Sequence, residues 1–176
     1  MRLYPNGKLA AHILGGTRFG EEGVRAAEIV GVGGVEKYFD KMLRDPALEG
    51  EPLKLSIDLT VQAATRQVLK DGMRLMNAKG ASAILMDVNT GEIISLVSLP
   101  DFDPNNRPRA AILGDPSENP LFNRAAQGLY ELGSTFKIFT AATSLEKGLV
   151  NPQTIIDTTP FRWNRKTYKD YKNYGP

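Results

Sequence analysis

A serine and a lysine three residues apart, Ser134 and Lys137, stand in the run Tyr130-Glu131-Leu132-Gly133-Ser134-Thr135-Phe136-Lys137. The run reads as the start of a buried helix. At about 3.6 residues per turn, positions i and i+3 share a face, so the amine can sit beside the hydroxyl. Serine is a weak nucleophile until a base takes its proton. A lysine with its ordinary pKa of about 10.4 is protonated at neutral pH and cannot do so. Burial and the positive end of a helix dipole both lower that pKa. A neutral Lys137 would accept the Ser134 proton, and the Ser134 backbone N–H would form half of an oxyanion hole. The pair needs no histidine, and the chain has one, His12, with no cysteine.

Spacing alone does not decide the matter. Ser-x-x-Lys arises by chance about once in a chain of this length. A second copy, Ser144-Leu145-Glu146-Lys147, lies at the far end of the same predicted helix, ahead of Gly148. Lysine there complements the dipole and faces water, so that copy is read as structural.

The elements that must position the pair follow from pattern. Residues 1–34, rich in glycine, read as short strands and turns. Val35, Tyr38, Phe39, Met42 and Leu43 follow helical spacing over 35–44, and Asp45-Pro46 ends that helix. A polar linker over 45–52 marks a domain boundary, dividing 1–48 from 49–176. Residues 53–57 alternate as a half-buried strand. Asp58 is a good N-cap for a helix from Leu59 to Asn77 with an apolar stripe of Val61, Ala64, Val68, Leu75 and Met76. Apolar runs at 81–88 and 92–98 flank Asn89-Thr90-Gly91 and predict a hairpin covered on both faces. Residues 99–120, with five prolines, form a long loop. The serine-bearing helix runs to about Lys147, with Gly148 as its C-cap.

Composition removes several classes. Of 176 residues, 41% are hydrophobic and 24% charged, as in ordinary globular proteins. A net charge of +2 without a dense basic run gives no case for nucleic acid. Without cysteine there are no disulfides, thiolate chemistry or cysteine zinc sites, and one histidine makes a Ser-His-Asp triad a poor reading. No stretch reaches the roughly 18–20 apolar residues of a membrane span, so any anchor or export signal would have to lie upstream of Met1.

The Ser134–Lys137 run, continued through Ile138-Phe139-Thr140 and Leu145-Glu146-Lys147-Gly148, resembles the nucleophile motif of the class B penicillin-binding proteins, the monofunctional peptidoglycan transpeptidases. Asp87-Val88-Asn89-Thr90-Gly91-Glu92-Ile93, Ser98-Leu99-Pro100-Asp101-Phe102-Asp103-Pro104-Asn105 and Asn123-Arg124-Ala125 resemble the family's preceding segments. Arg2-Leu3-Tyr4-Pro5, the stretch Leu9–Gly15 and Gly34-Val35-Glu36-Lys37-Tyr38 resemble its pedestal domain. Leu132, where many members carry proline, resembles the cell-division branch.

The resemblance implies an α+β fold: an antiparallel sheet flanked by helices, as in the penicillin-binding proteins and serine β-lactamases, here truncated. Part of a small β-rich pedestal would occupy 1–48, and the front part of a transpeptidase domain 49–176. It implies a serine acyl-enzyme with Ser134 as nucleophile and Lys137 as base. The substrate would be a stem peptide ending in D-Ala-D-Ala, with β-lactams as covalent inhibitors. It implies no metal or organic cofactor, no nucleic acid, divisome or elongation proteins as partners through the pedestal, and a catalytic domain outside the inner membrane. The family's Ser-x-Asn and Lys-Thr-Gly do not follow the nucleophile here. Ser117-Glu118-Asn119 precedes it, and Lys166-Thr167 runs into Tyr168 rather than glycine. Two other readings stay open: a β-lactam sensor or serine hydrolase of the same superfamily, and a non-catalytic interaction module of the cell-wall machinery.

Other chemistry-bearing residues read as structural. Asp101, Asp103 and Asp115 are expected to be solvated turn residues rather than metal ligands. Glu131 suits a helix start. Trp163, Tyr168, Tyr171 and Tyr174, mixed with Arg162, Arg165, Lys166, Lys169 and Lys172, read as a surface loop or a piece of core rather than a nucleic-acid site. A sheet with an unpaired inner edge associates readily, so residues 53–176 alone are expected to be unstable or to aggregate. A cooperative thermal transition from a monodisperse monomer of that fragment would count against the expectation.

Overall fold

The computed structural model describes residues 2–20, 28–109, 115 and 118–172. Two compact units, Met1–Leu129 and Tyr130–Pro176, divide the chain. Helices alternate with antiparallel strand pairs in an α+β arrangement, with no parallel pairing among the described residues.

The first unit opens with a 3-10 turn, Gly7–Ala10, and a one-turn helix α1, Ala11–Leu14, where strands and turns were expected. Strand β1, Gly16–Phe19, then pairs with β2, Ile29–Gly33. Close backbone approach explains the glycines. A Cβ on Gly15 would lie 1.9 Å from the Gly33 carbonyl oxygen, and one on Gly31 would lie 2.0 Å from that of Glu36. The helix expected over 35–44 is two short pieces, α2, Gly34–Tyr38, and α3, Asp40–Leu43, separated at Phe39 (φ −100°). At the break Asp40 accepts the Gly31 N–H at 2.8 Å, which ties the second piece to β2. Asp45 then caps the 3-10 turn Pro46–Leu48.

Residues 53–57 do not form the expected strand. Ser56 Oγ donates to the Ile93 carbonyl at 2.8 Å and Asp58 N–H to that of Ile94 at 3.0 Å, but the chain then turns into a helix cap before a ladder can build. Asp58 accepts from the N–H groups of Thr60 and Val61, satisfying two donors that a helix start leaves orphaned. Helix α4, Leu59–Met76, ends at Asn77 in the left-handed region (φ +48°). Its inward face is not the expected apolar stripe. Val68, Leu75 and Met76 are exposed, while Gln62 is buried and Thr65, Arg66, Leu69 and Met73 are half-buried at helical spacing. The helix is held through a polar contact, which a hydropathy pattern does not register.

Strands β3, Ala81–Met86, and β4, Ile93–Leu99, form the expected hairpin, with Gly91 at φ +77° and Asp87 accepting from the Asn89 and Thr90 N–H groups. Only β4 is well covered: Ser95, Val97, Ser98 and Leu99 are buried, whereas Ile84, Leu85 and Met86 of β3 are about half exposed. The hairpin therefore lacks the two-sided cover expected of it. A short helix α5, Arg124–Gln127, packs on both strands, and its first N–H donates to Ser98 Oγ at 2.9 Å.

Side-chain amides join the early residues to the rest of this unit. Asn105 Oδ1 accepts the Tyr4 N–H, and Asn105 Nδ2 donates to the Tyr4 carbonyl, both at 2.9 Å. Gln62, 1% exposed, makes four bonds. Its Nε2 donates to the carbonyls of Leu9 (2.9 Å) and Leu96 (2.8 Å). Its Oε1 accepts from Ser95 Oγ (2.8 Å) and the Leu96 N–H (2.9 Å). Around it, Tyr4, Ala10, Ala11, Val97, Leu99 and Phe102 form the buried apolar core. This packing is a different division from the compositional boundary near residue 48.

In the second unit a 3-10 turn, Gly133–Phe136, runs directly into helix α6, Lys137–Glu146. Strands β5, Phe161–Trp163, and β6, Lys166–Tyr168, then pair across Asn164 and Arg165, which have φ values of +46° and +64°.

Replacing Gln62 by alanine strands buried groups of Leu9, Ser95 and Leu96 and leaves a cavity. The expected loss is about 3 kcal/mol of unfolding free energy. It should appear as a lower urea midpoint with an unchanged slope, and a midpoint equal to the parent's would refute it.

Candidate active site

Gly133 begins the turn at φ +54°, the left-handed region that favours glycine. The Thr135 N–H donates to the Leu132 carbonyl at 3.1 Å, and the Lys137 N–H reaches back to that of Ser134. Ser134 therefore sits in a tight turn and Lys137 is the first residue of α6. The geometry differs from the single α-helix expected, and it favours pairing, because side chains at i and i+3 eclipse in a 3-10 turn. No hydrogen bond joins Ser134 Oγ to Lys137 Nζ among the described residues.

The burial expected around the pair is not met. Ser134, Lys137 and Glu131 are exposed, as are the apolar side chains of Phe136, Ile138 and Phe139 beside them. Phe136 and Phe139 touch each other at 5.4 Å between ring centres.

The second serine is occupied. Ser144 Oγ donates to the Thr140 carbonyl at 2.9 Å, the i−4 back-bond of a helical serine. Asp101 is not a free turn residue: its carboxylate lies 2.6 Å from Arg66 Nε, and both are largely buried. Asp103 caps the 3-10 turn Pro104–Asn106 by accepting the Asn105 N–H at 2.9 Å. No group of three acidic or histidine side chains gathers as a metal site among the described residues. Ser117 and Tyr174 lie outside the described residues.

Lys166-Thr167-Tyr168 is strand β6 of the short hairpin, and Phe161 stacks on Tyr168 at 5.2 Å. Trp163 and Tyr171 are exposed. The sequence reading placed no strand here. Its signal was present: aromatic-flanked triplets on either side of a two-residue turn led by asparagine.

His12 serves packing. Nε2 donates to the Pro120 carbonyl at 2.8 Å, and the ring meets Phe102 edge-on at 5.3 Å. Burial pushes its pKa below the ordinary histidine value, assisted by the charges of Arg124 and Arg107 and opposed by the Pro120 bond and Asp101.

Residues 81–175 match the family described as "Penicillin binding protein transpeptidase domain". The chain is 37% identical, over 97% of its length, to the "Probable peptidoglycan D,D-transpeptidase FtsI" of Caulobacter vibrioides, and spans 27% of that protein. It is 31% identical, over 99% of its length, to the peptidoglycan D,D-transpeptidase FtsI of Escherichia coli K12, and spans 31% of it. The crystal structure of Pseudomonas aeruginosa PBP2 in complex with WCK 5153 superposes with a TM-score of 0.71 and 26% identity, over 99% of this chain and 41% of that one. The chain thus spans roughly a third of the curated relatives named here.

The His12 geometry sets a pH dependence. Its folded pKa is depressed, so below the unfolded value of 6.5 the unfolded chain takes up a proton that the folded chain resists. The contribution is full above pH 6.5 and declines as pH falls from there to the folded pKa. Thermal midpoints across pH 5–8 should show this slope in the parent and a shallower one in His12→Gln. Parallel curves would refute it.

Proposed function

The chain belongs to the penicillin-binding-protein transpeptidase family, and on that footing we propose that it carries the nucleophile of a peptidoglycan D,D-transpeptidase acting at cell division. The 3-10 turn that aligns Ser134 with Lys137 at the head of α6 carries this reading.

Ser134 Oγ attacks the carbonyl carbon of the penultimate D-Ala of a stem peptide while Lys137 Nζ takes its proton. The oxyanion is held by the Ser134 N–H at the helix start and by a second donor from the rest of the site. The C–N bond breaks, and the terminal D-Ala leaves as an amine carrying a proton returned to it. An amine on a neighbouring stem peptide then attacks the serine ester, forming the cross-link and freeing Ser134. A β-lactam ring opens on the same oxygen. The chemistry asks for no metal or organic cofactor.

The rest of the proposal follows the relatives. Residues 1–48 are the end of a pedestal domain that docks divisome or elongation proteins, and 49–176 the front part of the catalytic domain. The catalytic domain works in the periplasm, tethered to the inner membrane. No helix among the described residues is long and apolar enough to cross a membrane.

A fluorescent penicillin should label the natural gene product in membranes. Ser134→Ala should abolish labelling, Lys137→Ala should slow it by about a hundredfold or more, and Ser144→Ala should leave it unchanged. Label that persists in Ser134→Ala, or that maps to Ser144, refutes the assignment. Rapid release of the label would favour a hydrolase over a transpeptidase.

A further inference from the structure

On the face of the β1–β2 hairpin a groove of about 560 Å³ is lined by Thr17, Arg18, Gly31, Val32, Lys37, Arg107 and Arg109. Four of these seven residues are cationic, and no described carboxylate lines the groove. The described acids of this region are engaged elsewhere. Glu36 is held by Arg2, Glu28 and Asp40 by Arg44, and Asp101 by Arg66.

Arg107 is the fixed member. Its Nη1 donates to the Gly15 carbonyl at 3.0 Å, using one of the five donors a guanidinium carries. The group lies over the Phe102 ring at 5.0 Å. It also packs against Gly16 and Gly33, where an added Cβ would come within 3.1 Å and 3.5 Å of it. Burial lowers its pKa, opposed among the described residues by the Tyr4 hydroxyl. A half-buried cation is thus held at the wall of an open groove with no carboxylate partner among the described residues, in a lining shared with two exposed cations, Lys37 and Arg109.

We propose that this groove binds a diphosphate-bearing ligand. Arginine offers paired N–H donors that match phosphate oxygens, and lysine adds a mobile point charge. The volume falls within the range of small-molecule sites and exceeds what one phosphate fills. A protein segment would need apolar anchors, and Val32 is the only apolar side chain in the lining. The inference rests on Lys37, Arg107 and Arg109 and is independent of the reaction at Ser134.

The test uses the natural full-length protein and two probes. One is inorganic pyrophosphate, titrated at low salt by calorimetry. The other is farnesyl diphosphate in vesicles of neutral lipid, followed by co-sedimentation. Binding that weakens with added salt, and at least about tenfold in the Lys37→Gln/Arg109→Gln double variant, is expected. Both side chains are exposed, so the thermal midpoint should stay at the parent value. Lys70→Gln, which removes an exposed cation outside the groove, should bind as the parent does. Tighter binding of the vesicle probe would identify a lipid-linked diphosphate, and equal binding a soluble one. Failure of both probes to bind, or affinity unchanged in the double variant, would overturn the proposal.

Discussion

The four bonds of Gln62 hold the first unit in one geometry. A buried amide without partners is destabilising by several kcal/mol, so Gln62 must find acceptors and donors at once. They come from three places: Leu9 near the chain start, and Ser95 and Leu96 of β4, met by a side chain of α4. An apolar contact tolerates sliding, but four directional bonds do not. Helix, strand and early residues therefore lock together, and the loop after β4 adds Asn105 on Tyr4 and Arg107 on Gly15. A change of composition near residue 48 can mark a boundary in a family's architecture while packing continues across it.

That lock explains where sequence reading succeeded and where it did not. Asp58 as an N-cap, the turn at Asn89-Thr90-Gly91, the stop at Asp45-Pro46 and the end of α6 before Gly148 were legible. Each depends on bonds within a few residues of itself. The inward face of α4 was not legible, because hydropathy selects Val68, Leu75 and Met76 while the contact runs through Gln62. Residues 53–57 have a strand's alternation but only two bonds to β4. The break at Phe39 pairs with a bond from Gly31 to Asp40 that spacing within the helix could not reveal.

The site divides along the same line. The backbone placement of Ser134 and Lys137 follows from residues 132–137 alone: glycine at positive φ opens a 3-10 turn that runs from the serine into the lysine. Family membership and the serine-lysine spacing were therefore readable together. Burial is not a local property. Phe136, Ile138 and Phe139 are exposed, so the described residues place the pair on one turn without burying it.

Two cations make the contrast concrete. Arg107 is half-buried by its own unit, held by the Gly15 carbonyl and the Phe102 ring, and its environment is already set. Lys137 is exposed at the start of α6. A lysine amine becomes a base at neutral pH chiefly by losing water. Phe136, Ile138 and Phe139 stand one or two positions from Lys137, so their side chains leave the helix on other faces than the lysine. Covering that apolar surface and removing water from Lys137 are therefore separate requirements, and the turn that spaces serine and lysine meets neither by itself.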